Sequence, residues 1–334
     1  MTTIPKNYSS DMNIRETEVA IKLIKDYFEC KLAKELNLTR VSAPLFVLPQ
    51  TGLNDNLNGV ERPVSFGIKE QNDKVCEIVH SLAKWKRQAL QRYEFNVNEG
   101  LYTDMNAIRR DEDTDNLHSI YVDQWDWEVV INKEDRTIDT LKEYVKKIYC
   151  VLKETEQFIF EKYNQIKPIL PKEITFISSQ ELENKYPSLP PKERERLAAK
   201  EYGAIFIIGI GKKLLSGKPH DGRAPDYDDW NLNGDSIVYY PVLDIAFEIS
   251  SMGIRVDSNS LKNQLNESGC TDRANLPFQA ALLKDELPFT IGGGIGQSRL
   301  CMFLLKRAHI GEVQSSIWTE NTYKLCSENN INLL

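Results

Sequence analysis

Arginines beside glycines, and carboxylates set in rows, are the residues in this 334-residue chain that could handle an anionic ligand. Arg299 closes the run Thr290-Ile291-Gly292-Gly293-Gly294-Ile295-Gly296-Gln297-Ser298-Arg299-Leu300. An apolar stretch, Leu287 to Ile291, precedes the glycines. Leu300, Phe303, Leu304 and Leu305 follow near helical spacing. The pattern predicts a strand, a glycine-rich turn and a helix. Glycines let a backbone approach a ligand closely. A helix N-terminus adds unpaired N–H groups and partial positive charge. Arg299 in the first turn opposes that dipole unless an anion sits there. Two readings stay open: a nucleotide or phosphate site, or a turn that packs a helix on its sheet. The GxGxxG spacing fails, because Gln297 follows Gly292 and Gly294, and Arg299 follows Gly294 and Gly296. The Walker spacing fails because no Gly-Lys-Ser/Thr follows.

Carboxylates come in four settings. Gln50 to Gly59 is rich in Gly and Asn; it is either a solvent-facing turn or a support that brings Asp55 to a ligand. His118 to Val130 alternates with period 2. Ile120, Val122, Gln124, Asp126 and Glu128 share one face, and Tyr121, Asp123, Trp125, Trp127 and Val129 the other. A polar row set between Trp125 and Trp127 is expected to line a pocket. Four acids and Arg223 fall within Asp221–Asp229, where Tyr227 and the adjoining Trp230 predict a packed, functional loop. Asp235 and Glu248 lie on a predicted strand pair, and two carboxylates beside a nucleotide suit Mg²⁺. One basic cluster completes the set. Lys84, Lys86 and Arg87 stand at a predicted helix start, which disfavours cations. They form either a solvated face or a pocket for carboxylate or phosphate.

The supporting elements follow from periodicity. A helix is predicted over 12–36, with the stripe Val19, Leu23, Tyr27, Phe28, Leu32 and Leu36. A β-branched segment, Thr39 to Val47, is interrupted by Pro44, which implies an edge or interface position. Strands are expected at 64–68, 75–80 and 100–109. A second helix covers 134–165, with Ile138, Leu141, Val145, Ile148, Leu152 and Ile159 inward. Residues 174–215 read as strand, helix, strand, with 187–196 on the surface and Gly203 to Gly211 a buried strand.

Composition sets the bounds. Hydrophobic content is 41% and charged content 27%, as in ordinary globular proteins. No apolar run reaches membrane-spanning length, and Met1 to Asp11 lacks a signal-peptide core. The six cysteines form no CxxC, which predicts free thiols in a cytoplasmic protein. The net charge of −7 disfavours extensive nucleic-acid binding.

The order of these features resembles the class II aminoacyl-tRNA synthetases. A long helix leads to a strand carrying Pro44, a strand pair holds Arg109, another strand holds Glu248, and the glycine run closes on Arg299. That resemblance implies an α+β fold whose mainly antiparallel sheet, of six or more strands, is flanked by helices. It also implies one catalytic domain over 1–334, with a polar tail from about 320. Longer strings narrow the match: His80 to Gln88, Tyr121 to Glu128, Arg223 to Trp230, Ser250 to Asp257 and Ile291 to Leu300. These resemble the ammonia-dependent asparagine synthetase A family, the aspartate–ammonia ligases, through about Trp318.

The resemblance implies that L-aspartate, ATP and ammonia give asparagine, AMP and pyrophosphate through β-aspartyl-AMP. It implies Mg²⁺ on Asp235 and Glu248, and a homodimer built on the first helix and the Pro44 strand. Arg109 would bridge the α-phosphate and the reacting carboxylate, and Arg299 would meet the nucleotide. Asp55 and Asp126 would pair with the α-ammonium and Lys86 with the α-carboxylate, beside Gln124 and Ser81. Ser119, Asp228, Asp235, Glu248, Ser251 and Gly294 would line the AMP side. The family's Arg-x-Glu is here Arg109-Arg110-Asp111, which leaves open the acid that meets the adenine. A tRNA-charging enzyme of the aspartyl or asparaginyl kind is the alternative, with a silent regulatory paralogue a third. With the first core helix near residue 12, no room is expected for an anticodon-binding barrel. The first cysteine, Cys30, falls inside a predicted helix with no base nearby, so free ammonia rather than glutamine is the expected nitrogen source. Asp55 is the expected acceptor of a proton from it.

Overall fold

The computed structural model describes residues 2–6, 8–55, 57 and 61–334. Asn56, Asn58 and Gly59 of the Gly/Asn-rich loop lie outside the described residues.

Helix α1 (Ile14–Glu35) starts at a capping box in which Asn13 and Glu16 exchange side-chain and backbone hydrogen bonds of 2.9 and 3.0 Å. Strands β1 (Leu38–Arg40) and β2 (Phe46–Val47) follow on either side of Pro44. A hairpin, β3 (Ser65–Ile68) and β4 (Lys74–Ile78), joins β2 in a small sheet of order β2-β4-β3. Helix α2 (Ala83–Arg92) leads to the long pair β5 (Gly100–Ile108) and β6 (Tyr121–Val130). Then come α3 (Ile138–Lys162), β7 (Thr175–Ser178), α4 (Ser179–Lys185), α5 (Pro191–Tyr202) and β8 (Ala204–Ile208). The chain closes with β9 (Asp228–Tyr240), β10 (Ile245–Arg255), α6 (Ser258–Glu267), α7 (Pro277–Leu283), β11 (Thr290–Gly296), α8 (Gln297–Leu304) and α9 (Glu320–Glu328).

The main sheet runs β1-β5-β6-β11-β10-β9-β8-β7. From β5 to β8 every neighbouring pair is antiparallel, while β1 and β7 pair parallel at the two edges. The alternation in β6 decides the two faces. Trp125 and Trp127 are fully buried on the helical side. Trp125 meets Phe28 of α1 at 5.0 Å, and Trp127 stacks on Tyr144 of α3 at 6.0 Å. Gln124, Asp126 and Glu128 point the opposite way, into the side-chain network around α2 and the cavity described below.

Three expectations change. The buried stripe of α1 is Ala20, Ile24, Phe28 and Leu32, whereas Val19 is 54% exposed and Leu23 and Tyr27 are half-buried. Both rows have the same four-residue spacing and differ by one position, about 100° round the helix. The segment 174–215 holds two helices, α4 and α5, not one. The glycine run forms no turn: it is the strand β11, hydrogen-bonded between β6 and β10.

Candidate active site

Antiparallel neighbours in register point their side chains to the same face. Across four strands Asp126 opposes Gly294, Gly294 opposes Ser251, and Ser251 opposes Asp235. This row is the floor of a cavity of about 470 Å³. The glycines keep the floor low. A Cβ on Gly294 would stand 2.5 Å from Gln124 Oε1 and 3.2 Å from Asp126 Oδ1. One on Gly292 would stand 2.7 Å from Arg255 Nη2 and 2.8 Å from Glu128 Oε2. At Gly292 the Trp127 carbonyl, also 2.7 Å away, adds backbone crowding to that of the side chains, while at Gly294 the crowding comes from side-chain ends alone.

Beneath the cavity lies a network of buried charges. Glu128 accepts from Arg255 Nη2 at 3.0 Å, Arg255 Nε at 3.2 Å and Thr290 Oγ1 at 2.7 Å. Arg255 also donates to Asp228. Burial pulls the Arg255 guanidinium down, but Glu128 and Asp228 outweigh it and hold it firmly cationic. Lys86 comes from α2 and is fully buried. Its ammonium donates to Asp126 Oδ1 at 2.8 Å, Trp127 O at 2.9 Å and Gly293 O at 3.0 Å. An ammonium has three protons, so Lys86 has none left for a ligand. It lies under the floor and does not line the cavity, whereas the resemblance implies that it meets a substrate carboxylate. The other cations of that cluster are also buried and partnered: Lys84 donates to Asp226 at 3.1 Å, and Arg87 to Pro288 O at 2.8 Å and Val256 O at 2.6 Å. Burial pushes the Arg87 guanidinium down to about 10.

The other expected residues all line the cavity. At one end Asp55 is buried, and burial raises its carboxyl above the usual range; Lys84 opposes that rise and Asp226 adds to it. Asp55 Oδ1 accepts from Leu57 N at 2.9 Å. Ser81 precedes α2, its Oγ accepting from Ala83 N at 3.2 Å. Asp126 Oδ2 accepts from Leu82 N at 3.1 Å, so both its oxygens are engaged.

Arg109 follows β5, anchored by its N–H to Ile120 O at 2.8 Å. Its nearest carboxylate, Glu112, is 3.9 Å away, and its buried Nε has no partner. Asp111 is held by Arg62 through backbone N–H at 2.8 Å and the guanidinium at 3.0 Å, which keeps its carboxyl well below the ordinary range. Ser119 closes this side, donating to Ser316 Oγ at 2.8 Å.

At the far end Asp235 on β9 and Glu248 on β10 line the same wall. Asp235 receives a hydrogen bond from Arg223, which also reaches Ser251. Burial raises the Asp235 carboxyl; Arg223 opposes this and the Glu248 charge adds to it. Two carboxylates within each other's field fit a divalent cation. Among the described residues no group of three or more such ligands is present. Arg299 donates to Glu248 O at 3.2 Å, and its guanidinium is 4.0 Å from the Glu248 carboxylate. The start of α8 is capped from within: Ser298 N donates to Asp123 Oδ1 at 3.0 Å and Ser298 Oγ to Oδ2 at 2.8 Å. The anion expected at this N-terminus is thus Asp123. Lys25 also donates to Asp123 Oδ2, at 3.1 Å.

Sequence reasoning gave no role to Asp123, Arg223 or Lys192. Lys192 comes from the stretch expected on the surface, lines the cavity rim and pairs with Asp221 at 3.1 Å. The pairing of Arg223 with Asp235 joins a loop to a strand, so no short-range spacing announces it.

A family model described as aspartate–ammonia ligase matches residues 15–330. A protein of Clostridium perfringens (strain 13) named aspartate–ammonia ligase is 64% identical over 331 residues, 99% of this chain and 98% of that one. One of Fusobacterium nucleatum with the same name is 62% identical over 327 residues, 98% of this chain and 99% of that one. Among solved structures, asparaginyl-tRNA synthetase from Pyrococcus horikoshii complexed with asparaginyl-adenylate has a TM-score of 0.65 at 16% identity, over 90% of this chain and 69% of that chain. Aspartyl-tRNA synthetase from Entamoeba histolytica has a TM-score of 0.59 at 14% identity, over 89% and 58%. Those distant likenesses establish the class II synthetase fold. The near-full-length identities go further, and the chain belongs to the aspartate–ammonia ligase family.

Proposed function

We propose that this chain makes L-asparagine from L-aspartate and ammonia at the expense of ATP. In the first step a β-carboxylate oxygen attacks the α-phosphorus, the bond to pyrophosphate breaks, and β-aspartyl-AMP forms. In the second the ammonia lone pair attacks the acyl carbon, the bond to AMP breaks, and the new amide loses a proton. The observation that carries this reading is Arg109, whose buried Nε has no partner and whose nearest carboxylate among the described residues stands at 3.9 Å, in a cavity where Arg62, Arg223 and Arg255 are paired more tightly. An unengaged guanidinium can hold the α-phosphate and the attacking carboxylate in line, where developing charge needs it.

Asp55 and Asp126 receive the α-ammonium, with Gln124 and Ser81 on the remaining polar edge. Lys86 positions Asp126 rather than touching substrate. Ser119, Asp228, Ser251 and Gly294 bound the nucleotide side, and Arg299 meets it from above Glu248. Asp235 and Glu248 would hold Mg²⁺, which supplies charge neutralisation on phosphate oxygens. Aspartate-dependent ATP–pyrophosphate exchange without tRNA tests the reading; exchange that appears only with tRNA would replace it.

The proposed assembly is a homodimer. Ile14 and Val19 of α1, and Leu45, Phe46 and Phe66 near the small sheet, are large exposed apolar residues. Phe46 and Phe66 meet edge-to-face at 5.1 Å, and such grouped exposure marks an interface. Sedimentation showing only monomer at micromolar concentration would remove the dimer. The proposed compartment is the cytoplasm, which suits six free cysteines. No helix among the described residues is long and apolar enough to cross a membrane.

A further inference from the structure

A second, smaller cavity of about 220 Å³ adjoins the first. Three pairs of chain neighbours form the partition. Asp55, Ala83 and Tyr227 line the main cavity, while Asn54, Lys84 and Asp226 line the small one. At each of these places consecutive residues of the chain line the two cavities.

Asp226 is fully buried, and its partners crowd on one oxygen. Oδ2 accepts from Gln279 Nε2 at 2.7 Å and Lys84 Nζ at 3.1 Å, with Arg273 Nη1 at 3.8 Å. Oδ1 has no partner, and neither has Oε1 of the equally buried Gln279. Unpaired buried acceptors cost free energy that a small donor would return. Charge narrows the choice of donor. Lys84 and Arg273 face Asp226, and Glu77 lines the same cavity, so two cations already balance two carboxylates and a third cation would leave the buried charge unbalanced. A small neutral molecule with N–H groups to give and a lone pair to receive suits the site. It can donate to Asp226 Oδ1 and Gln279 Oε1 and accept from Lys84.

We propose that this cavity takes up neutral ammonia and passes it through the Asn54–Asp55 and Lys84–Asp226 partition to the acyl carbon of the adenylate. The proposal rests on the ligase reading above. Ammonium leaves one proton in the solvent and enters as NH₃. The nitrogen lone pair then forms the C–N bond as the C–O bond to AMP breaks, and Asp55 takes the proton that the new C–N⁺ group must lose. The raised pKa of the buried Asp55 carboxyl suits that task.

Two variants of the full chain test this. Gln279→Leu removes the unpaired acceptor. Leu276→Trp fills the cavity, which Leu276 lines, and leaves the polar contacts in place. Asparagine formation is titrated with ammonium chloride, beside the ammonia-independent ATP–pyrophosphate exchange. Each variant is expected to raise the ammonium KM about tenfold, in Gln279→Leu as the weight of one lost hydrogen bond and in Leu276→Trp through lost space, with exchange unchanged. An unaltered ammonium KM in Leu276→Trp, or exchange falling in step with asparagine formation in both variants, overturns the proposal. Absence of exchange in the parent chain would remove the ligase reading and this inference with it.

Discussion

The floor of the main cavity and its rim hold charge in opposite ways. On the floor, Glu128, Arg255, Asp228, Lys86 and Asp126 satisfy one another at hydrogen-bond distance before any ligand arrives. On the rim, Arg109 keeps 3.9 Å from Glu112, and Arg299 keeps 4.0 Å from the Glu248 carboxylate. Burial explains the difference. A charge removed from water must be paired for the chain to fold, whereas a half-exposed one is solvated until a ligand displaces the water. Binding energy therefore need not be spent on assembling the floor, and remains available for the groups that meet the reacting atoms.

That contrast can be broken by exchanging the penalties. Arg255→Met leaves Glu128 and Asp228 without their cation, and is expected to cost about 3–5 kcal/mol of stability by urea denaturation. A loss smaller than about 1 kcal/mol would show that the floor tolerates unpaired charge. Arg109→Ala should do the reverse. Its denaturation curve stays near that of the parent, while exchange falls by about 10²–10³. Near-normal exchange would move the α-phosphate elsewhere.

Finer tests sharpen the rim. Glu248→Gln should raise the Mg²⁺ concentration needed for half-maximal rate, and an unchanged titration would pass the ligand role to another acid. Asp55 belongs to neither class, being buried yet facing the cavity. It accepts a proton only when ionised, and its pKa is raised. The rate of asparagine formation should therefore fall on acidification above the ordinary carboxylate range, and that limb should vanish in Asp55→Asn. The same variant should slow asparagine formation more than exchange; equal losses would confine Asp55 to holding aspartate and remove its proton-accepting role.

The features legible in the sequence were those that repeat at short range. The alternation through Trp125 and Trp127 predicts both faces of β6, and the six antiparallel strands agree with the resemblance. The parallel edges β1 and β7 carry no local signal. A lysine in a string shows its charge and hides its partners, and those of Lys86 come from β6 and β11. The glycine run was read as a turn because glycine signals both bends and crowding. Here the crowding comes from Gln124, Glu128 and Arg255, more than 30 residues away along the chain. In α1, two stripes one residue apart compete, and only α3 and the sheet decide between them.

The row Asp126, Gly294, Ser251, Asp235 acts as a ruler. Its marks are neighbouring strands, so three steps of about 4.8 Å set a span of about 14 Å from the Asp126 end to the Asp235 end. Backbone hydrogen bonds fix this length, and no rotamer can stretch it. On the proposed reading, an amino acid anchored at Asp126 offers its side-chain carboxylate at a distance given by its own carbon count. Glutamate, one methylene longer, would carry its reactive oxygen past the point where Arg109 and the α-phosphate meet. Selection for the shorter acid would then be a matter of gauge rather than of chemical recognition.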